Sequence, residues 1–225
     1  MLIVLEGLDG AGKSTQVKIL REYLQTKCPD LEYIHFPRYD APIWGDLISR
    51  FLKGEFGSNT QVHPQLVALL FALDRADAAA HIRQLLEEGR TVLLDRYVYS
   101  NIAYQCAKLP DPAQEEQLRN WILDTEFGAF GEPRPELNIF LNVPLSFVEH
   151  NLSKERKGED RNYLSGSHDI HEASIDFQRK VNSIYLSEAE RNPSLKLVDC
   201  SDSEGKMLPS EDIFKKIKAL VDEVL

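Results

Sequence analysis

The stretch Leu2-Ile3-Val4-Leu5-Glu6-Gly7-Leu8-Asp9-Gly10-Ala11-Gly12-Lys13-Ser14-Thr15 decides the fold class of this chain. Its leading apolar run, Leu2 to Leu5, reads as a buried strand. Lys13–Lys27 reads as a helix, with Val17, Ile19, Leu20, Tyr23 and Leu24 as its apolar positions. Between them, Gly7 to Ser14 fits the pattern G-x-x-x-x-G-K-[ST] of a phosphate-binding loop, in the strand–loop–helix context that the pattern requires. Gly7, Gly10 and Gly12 let the backbone curl so that successive N–H groups converge on one anion, and the helix N-terminus adds the positive end of its dipole. Gly7, Leu8, Asp9, Gly10, Ala11, Gly12, Lys13, Ser14 and Thr15 are therefore expected to hold a nucleoside triphosphate. Lys13 is expected to reach its β- and γ-phosphates, and the Ser14 hydroxyl to ligate Mg²⁺.

Outward from this loop, strands alternate with helices. Glu32–Phe36, Thr91–Leu94, Leu137–Val143 and Leu195–Val198 are strand candidates. Helical patterns cover Ile43–Leu52, Gln61–Glu88, Tyr97–Lys108, Asp111–Phe127, Pro144–Ser153, Asp169–Glu190 and Glu211–Leu225. Five apolar strands separated by helices imply an α/β fold, a five-stranded parallel sheet with helices on both faces. The 225 residues suit one domain. Only the stretch 154–168 lacks apolar periodicity. It carries Lys154, Arg156, Lys157 and Arg161, and reads as a surface loop able to act as a lid.

Composition narrows the partners. Lys plus Arg number 26 against 36 Asp plus Glu, a net charge of −10, which disfavours nucleic acid and anionic membranes. The longest uncharged stretch, Phe56–Leu73, contains Gly, Ser, Asn, Gln, His and Pro and is no membrane span. Cys28, Cys106 and Cys200 have no metal-binding spacing, and an odd count fits a reducing compartment. His168 and His171 have no third ligand. A soluble, cytoplasmic protein is expected.

Further residues point to phosphoryl chemistry. Asp95 closes a strand at its C-terminal end, where ligands bind in open α/β sheets, and suits a carboxylate that holds Mg²⁺. Arg96 beside it, and Arg38 after Phe36-Pro37, suit bidentate clamping of a second phosphate. Phe71 and Arg75 share a helix face, an aromatic plane with a donor beside it that suits a nucleobase. Tyr97, Ser100, Asn101 and Tyr104 form a polar-aromatic stripe just after Asp95-Arg96. No Asn-Lys-x-Asp segment is present to read guanine, and the Asp-x-x-Gly at Asp202 to Gly205 lies beyond the last strand, which sets a GTPase aside. A deoxynucleoside kinase and a switch without transfer chemistry remain as alternatives. The first needs a carboxylate base for a neutral hydroxyl, whereas paired Arg38 and Arg96 favour a phosphate acceptor.

Taken together and in order, Gly7 to Thr15, Phe36-Pro37-Arg38, Phe71 with Arg75, Asp95-Arg96-Tyr97 and Ser100-Asn101 with Tyr104 resemble the thymidylate kinases over nearly the whole chain. The resemblance implies a P-loop NTPase fold of nucleoside monophosphate kinase type, Mg²⁺ as cofactor, ATP and dTMP as substrates, and a homodimer. It implies that Phe71 stacks on thymine, Arg75 bonds its O4, and Asn101 helps read its edge. It further implies that Asp9 bonds the sugar 3′-hydroxyl or water near the metal, Tyr104 packs where a 2′-hydroxyl would sit, and Arg38 and Arg96 hold the acceptor phosphate. Phe36, Tyr97 and Ser100 complete the implied substrate site, and Lys13, Arg38, Asp95, Arg96, Arg156 and Arg161 the implied catalytic set. Some members carry an arginine inside the phosphate loop. Gly10 stands there in this chain, which resembles the bacterial-like type whose lid supplies that charge.

Overall fold

The computed structural model describes residues 1–153, 169–172 and 174–225. The expected lid, with Lys154, Arg156, Lys157 and Arg161, lies outside the described residues. Five strands form one sheet: β1 (Leu2–Gly7), β2 (Glu32–His35), β3 (Val92–Asp95), β4 (Leu137–Asn142) and β5 (Leu195–Asp199). Their order is β2-β3-β1-β4-β5 and every pairing is parallel. Both faces of β1 and β3 are buried, which explains why their sequences run apolar without alternation.

The helices are α1 (Lys13–Lys27), α2 (Trp44–Leu52), α3 (Pro64–Glu87), α4 (Val98–Cys106), α5 (Pro112–Leu123), α6 (Leu145–Ser153), α7 (Ile175–Arg191) and α8 (Ser210–Asp222). Three elements depart from the sequence expectation, two of them for a local reason. α3 begins at Pro64, not Gln61: the proline takes the first helical position and the His63 side chain accepts from the Gln65 N–H. α7 begins at Ile175, not Asp169, because the Asp169 carboxylate accepts from the His171 N–H in a turn, and Ser174 then caps the helix. α5 passes at Leu123 into a π-helical turn, Asp124–Ala129. Among the described residues no helix is long and apolar enough to cross a membrane.

The main core lies between sheet and helices, with Leu2, Ile3, Val4, Leu5, Leu93, Ile139 and Phe140 at its centre. Burying each such side chain contributes about 1.5–3 kcal/mol. A second, smaller cluster, Ile48, Phe51, Leu52 and Val67, ties α2 to α3, with Phe71 and Ile170 against it. The chain runs from β1 to β2 on one side of the sheet and from β4 to β5 on the other. The connections therefore diverge at the C-terminal ends of β1 and β4, where α/β sheets open a crevice.

Candidate active site

A cleft of about 1000 Å³ opens at the C-terminal ends of β1, β2 and β3. Leu8, Asp9, Gly10, Ala11, Gly12, Lys13 and Ser14 form its floor, and Arg38, Asp95 and Arg96 its wall. Gly10 and Gly12 have φ of 75° and 74°, the left-handed conformation that lets the loop curl. Gly12 caps α1 with no side-chain hydrogen bond, so the first N–H groups of that helix are left for a ligand. Asn151 on α6 donates to the Gly10 carbonyl at 2.7 Å and braces the loop from behind; the sequence reading did not single it out.

Lys13 Nζ lies 2.5 Å from Asp95 Oδ1. Burial alone would raise the Asp95 carboxyl, but Lys13, followed by His35, outweighs it and the pKa falls below the usual value. Arg96 has φ 69°, a strained conformation for a residue with a side chain. Its guanidinium donates to Ser100 Oγ at 3.0 Å and Asp9 Oδ1 at 2.6 Å and lies over the Tyr104 ring. The Asp9 carboxyl is likewise lowered, Arg96 outweighing burial. Below Arg96, the fully buried Glu6 accepts from the backbone N–H groups of Tyr97 and Ser100 and from the Ser100 and Tyr185 hydroxyls. Glu6 thus caps α4 from another strand, and burial raises its pKa.

Arg38 lines the cleft but is anchored: Nε donates to Asp74 Oδ1 at 2.9 Å, and Nη2 to the Asp74 carbonyl and Asp77 Oδ2. The loop that carries it crosses Gly45, where a Cβ would meet the Tyr39 and Arg38 carbonyls at 2.5 and 2.6 Å.

A second cavity, of about 80 Å³, joins this cleft. Phe36, Phe71, Arg75, Arg96, Ser100, Asn101 and Tyr104 line it together, as the sequence expectation grouped them. Tyr97 stands apart: its ring packs edge-on to Phe127 in the core and its hydroxyl donates to the Pro133 carbonyl. Thr15 also stands apart, in a separate cavity of about 220 Å³ with Gly12, Phe147, Cys200 and Met207. His171, read only as a failed metal ligand, lies within the aromatic cavity, stacked toward Phe71 at 23° and 5.2 Å from the Tyr104 centroid. Burial and nearby Lys108 push its pKa well down, so the ring is neutral.

Arg75 is buried and gives Nε and Nη2 to Glu126 at 2.5 and 2.8 Å. Glu126 went unnoticed in the sequence, although Leu118, Ile122 and Glu126 continue one buried stripe at i+4 spacing. A carboxylate on such a stripe is the signal that a buried partner exists. Glu132 faces the same guanidinium at 3.8 Å; burial and the neighbouring Glu126 push its pKa up to about 9 against the pull of Arg75.

Among the described residues no group of three or more His, Cys, Asp or Glu side chains could hold a metal ion. Ser14 and Asp95 nevertheless supply hard oxygen donors at the cleft, enough for an ion that binds mainly through phosphates and water.

Comparison with known proteins gives one answer. The family model described as thymidylate kinase matches residues 5–209. A probable thymidylate kinase of Pyrococcus horikoshii is 34% identical over 228 residues, covering 99% of this chain and 96% of that one. The thymidylate kinase of Mycobacterium tuberculosis is 33% identical over 186 residues, covering 82% and 84%. The thymidylate kinase structure from Candida albicans superposes with a TM-score of 0.70 at 28% identity, covering 99% of this chain and 91% of that one.

Proposed function

The chain belongs to the thymidylate kinase family and transfers the γ-phosphoryl group of ATP to dTMP; from that premise we propose how its residues divide the work. The observation that carries the assignment is the junction of the two cavities at Asp9 and Arg96. A phosphate-binding loop floors one, and Phe71, Arg75, Asn101 and Tyr104 line the other. ATP lays its phosphates along Gly7 to Thr15, and the apolar slot beside Gly12 and Phe147 suits its purine. dTMP lays its base against Phe71, its sugar against Tyr104, and its phosphate between Arg38 and Arg96, with Phe36 and Ser100 closing the wall.

The acceptor phosphate is already anionic, so no strong base is needed. The obstacle is repulsion between donor and acceptor phosphates. Lys13, Arg38 and Arg96 offset it, and their anchored positions keep donor and acceptor in line. Mg²⁺, held by Ser14 and Asp95, would neutralise charge on the transferring group. Arg156 and Arg161, in one kinase unit with a lid at 154–168, complete that set of charges. The three cysteines are free, which supports a cytoplasmic setting, and Ile43 and Leu66, exposed at the starts of α2 and α3, support a homodimer.

An acceptor panel of dTMP, dUMP, dCMP, dGMP and thymidine, followed as ADP release, tests the reading. We expect dTMP to be preferred and thymidine to be inert. Phe71→Ala should raise the KM for dTMP far more than that for ATP, since base stacking is worth about 1–3 kcal/mol. Equal effects on both substrates would reduce Phe71 to core packing.

A further inference from the structure

The base-reading side chains are not independent of one another. Asn101, buried on α4, donates through Nδ2 to two acceptors, the Ala68 carbonyl at 2.9 Å and Glu126 Oε1 at 2.8 Å. Both neighbours only accept, so the amide has one orientation: a flip would set Oδ1 against a carbonyl and a carboxylate. Oδ1 is left buried and without a hydrogen-bond partner among the described residues, in a side chain that lines the aromatic cavity. Arg75 lines the same cavity and is held by the same carboxylate: its Nε donates to Oε2, and its Nη2 donates to Oε1, the oxygen that also accepts from Asn101. Nη1 makes none of the hydrogen bonds among the described residues and can only donate.

We propose that Glu126 is a positioning residue that sets the polarity of base reading: by accepting from both Arg75 and Asn101 it leaves a donor and an acceptor side by side, and so selects a pyrimidine with a carbonyl next to a ring N–H. This rests on the reading of the aromatic cavity as the base site. Thymine and uracil present an O4 acceptor and an N3–H donor. Cytosine presents an amino donor and a ring-nitrogen acceptor, which set donor against donor and acceptor against acceptor. A buried polar group left without its partner is costly, and this is how a site rejects a near-isostere. Glu126 touches no substrate in this scheme. The π-helical turn Asp124–Ala129 carries it inward, and such turns recur at functional sites.

Glu126→Gln tests the idea. The amide keeps the shape and its one oxygen can still accept from Arg75 Nε, while an NH₂ in the place of Oε1 can donate to Asn101 Oδ1 and turn that side chain over. Glu132, at 3.8 Å, stays as a counter-charge for Arg75. We expect the ratio of kcat/KM for dTMP over dCMP to fall at least tenfold, through KM, with kcat on dTMP within about threefold of wild type. Glu126→Asp, which keeps the carboxylate, should retain most of the preference. An unchanged ratio in folded Glu126→Gln overturns the proposal. A wild-type measurement stands beside it, whatever the variant's folding: dCMP and N3-methyl-dTMP must each bind at least tenfold more weakly than dTMP, and parity of either overturns it. If Phe71→Ala still raises the dTMP KM while the ratio stays fixed, only the role of Glu126 fails; if Phe71→Ala does nothing to dTMP, the base site itself is misplaced.

Discussion

At the scale of single residues, the cations proposed to act on the phosphates are each held in an ion pair. Lys13 rests on Asp95, Arg96 on Asp9, and Arg38 on Asp74 and Asp77. Each pair keeps a long side chain ordered and aimed at the cleft, which lowers the entropy lost when phosphates arrive. Lys13→Ala should therefore abolish turnover in a folded protein, since the transition state loses charge stabilisation worth several kcal/mol. Circular dichroism and a single-turnover assay on that variant check it; near wild-type rates would remove the loop from the chemistry. Arg156→Ala/Arg161→Ala should cut kcat by about 10³ or more with dTMP affinity nearly unchanged, because arginines acting on a transferring phosphoryl group are worth about 10³–10⁵. A solvated ion pair contributes only about 0–1 kcal/mol, so a double variant that keeps most of its kcat would show the charge to come from elsewhere.

At the scale of elements, the site depends on close backbone approaches that side chains would block. α2 meets the 38–39 loop at Gly45, with room for hydrogen only. Gly45→Ala should push that loop away from α2 and carry Arg38 off its anchor on Asp74. Overpacking of this kind costs about 1–3 kcal/mol, and each kcal/mol lowers Tm by about 2–4 °C in a chain of this size. Thermal unfolding should show that loss, and the KM for dTMP should rise while that for ATP holds. α4 shows the opposite economy: its cap is supplied by Glu6 from β1, so the strand under the phosphate loop also fixes the helix that carries Ser100, Asn101 and Tyr104.

At the scale of the whole molecule, the buried charges make stability depend on pH. Glu132 titrates near 9 in the folded chain and near its ordinary 4.5 when unfolded. Between those values the folded state holds the extra proton, so this group's contribution falls as pH rises through the window. Lys108, which burial pushes down to about 7, acts in the other direction above pH 7. Glu132→Gln keeps the neutral shape and cannot ionise. Relative to wild type it should gain on the order of 4 kcal/mol between pH 5 and pH 8. Denaturant unfolding at both pH values measures this; a constant difference would mean that Glu132 is not buried against Arg75.

The sequence by itself determined what depends on local pattern: five apolar strands, the helices between them, the phosphate loop, and the residues grouped at strand ends. Those features are legible because a strand buried on both faces must be apolar and a loop that wraps an anion must be rich in glycine. Even Phe71 with Arg75, and Asn101 with Tyr104, showed as stripes of one helix face. Only the tertiary structure decided who partners whom. Glu126 and Arg75 lie 51 residues apart and Glu6 and Ser100 94 apart, and no periodicity links them. Tyr97, next to Asp95-Arg96 in sequence, turns into the core, while His171 comes from beyond α6 to lie in the aromatic cavity. A buried polar side chain is satisfied by whichever group the packing brings within about 3 Å, and that distance is a property of the folded chain.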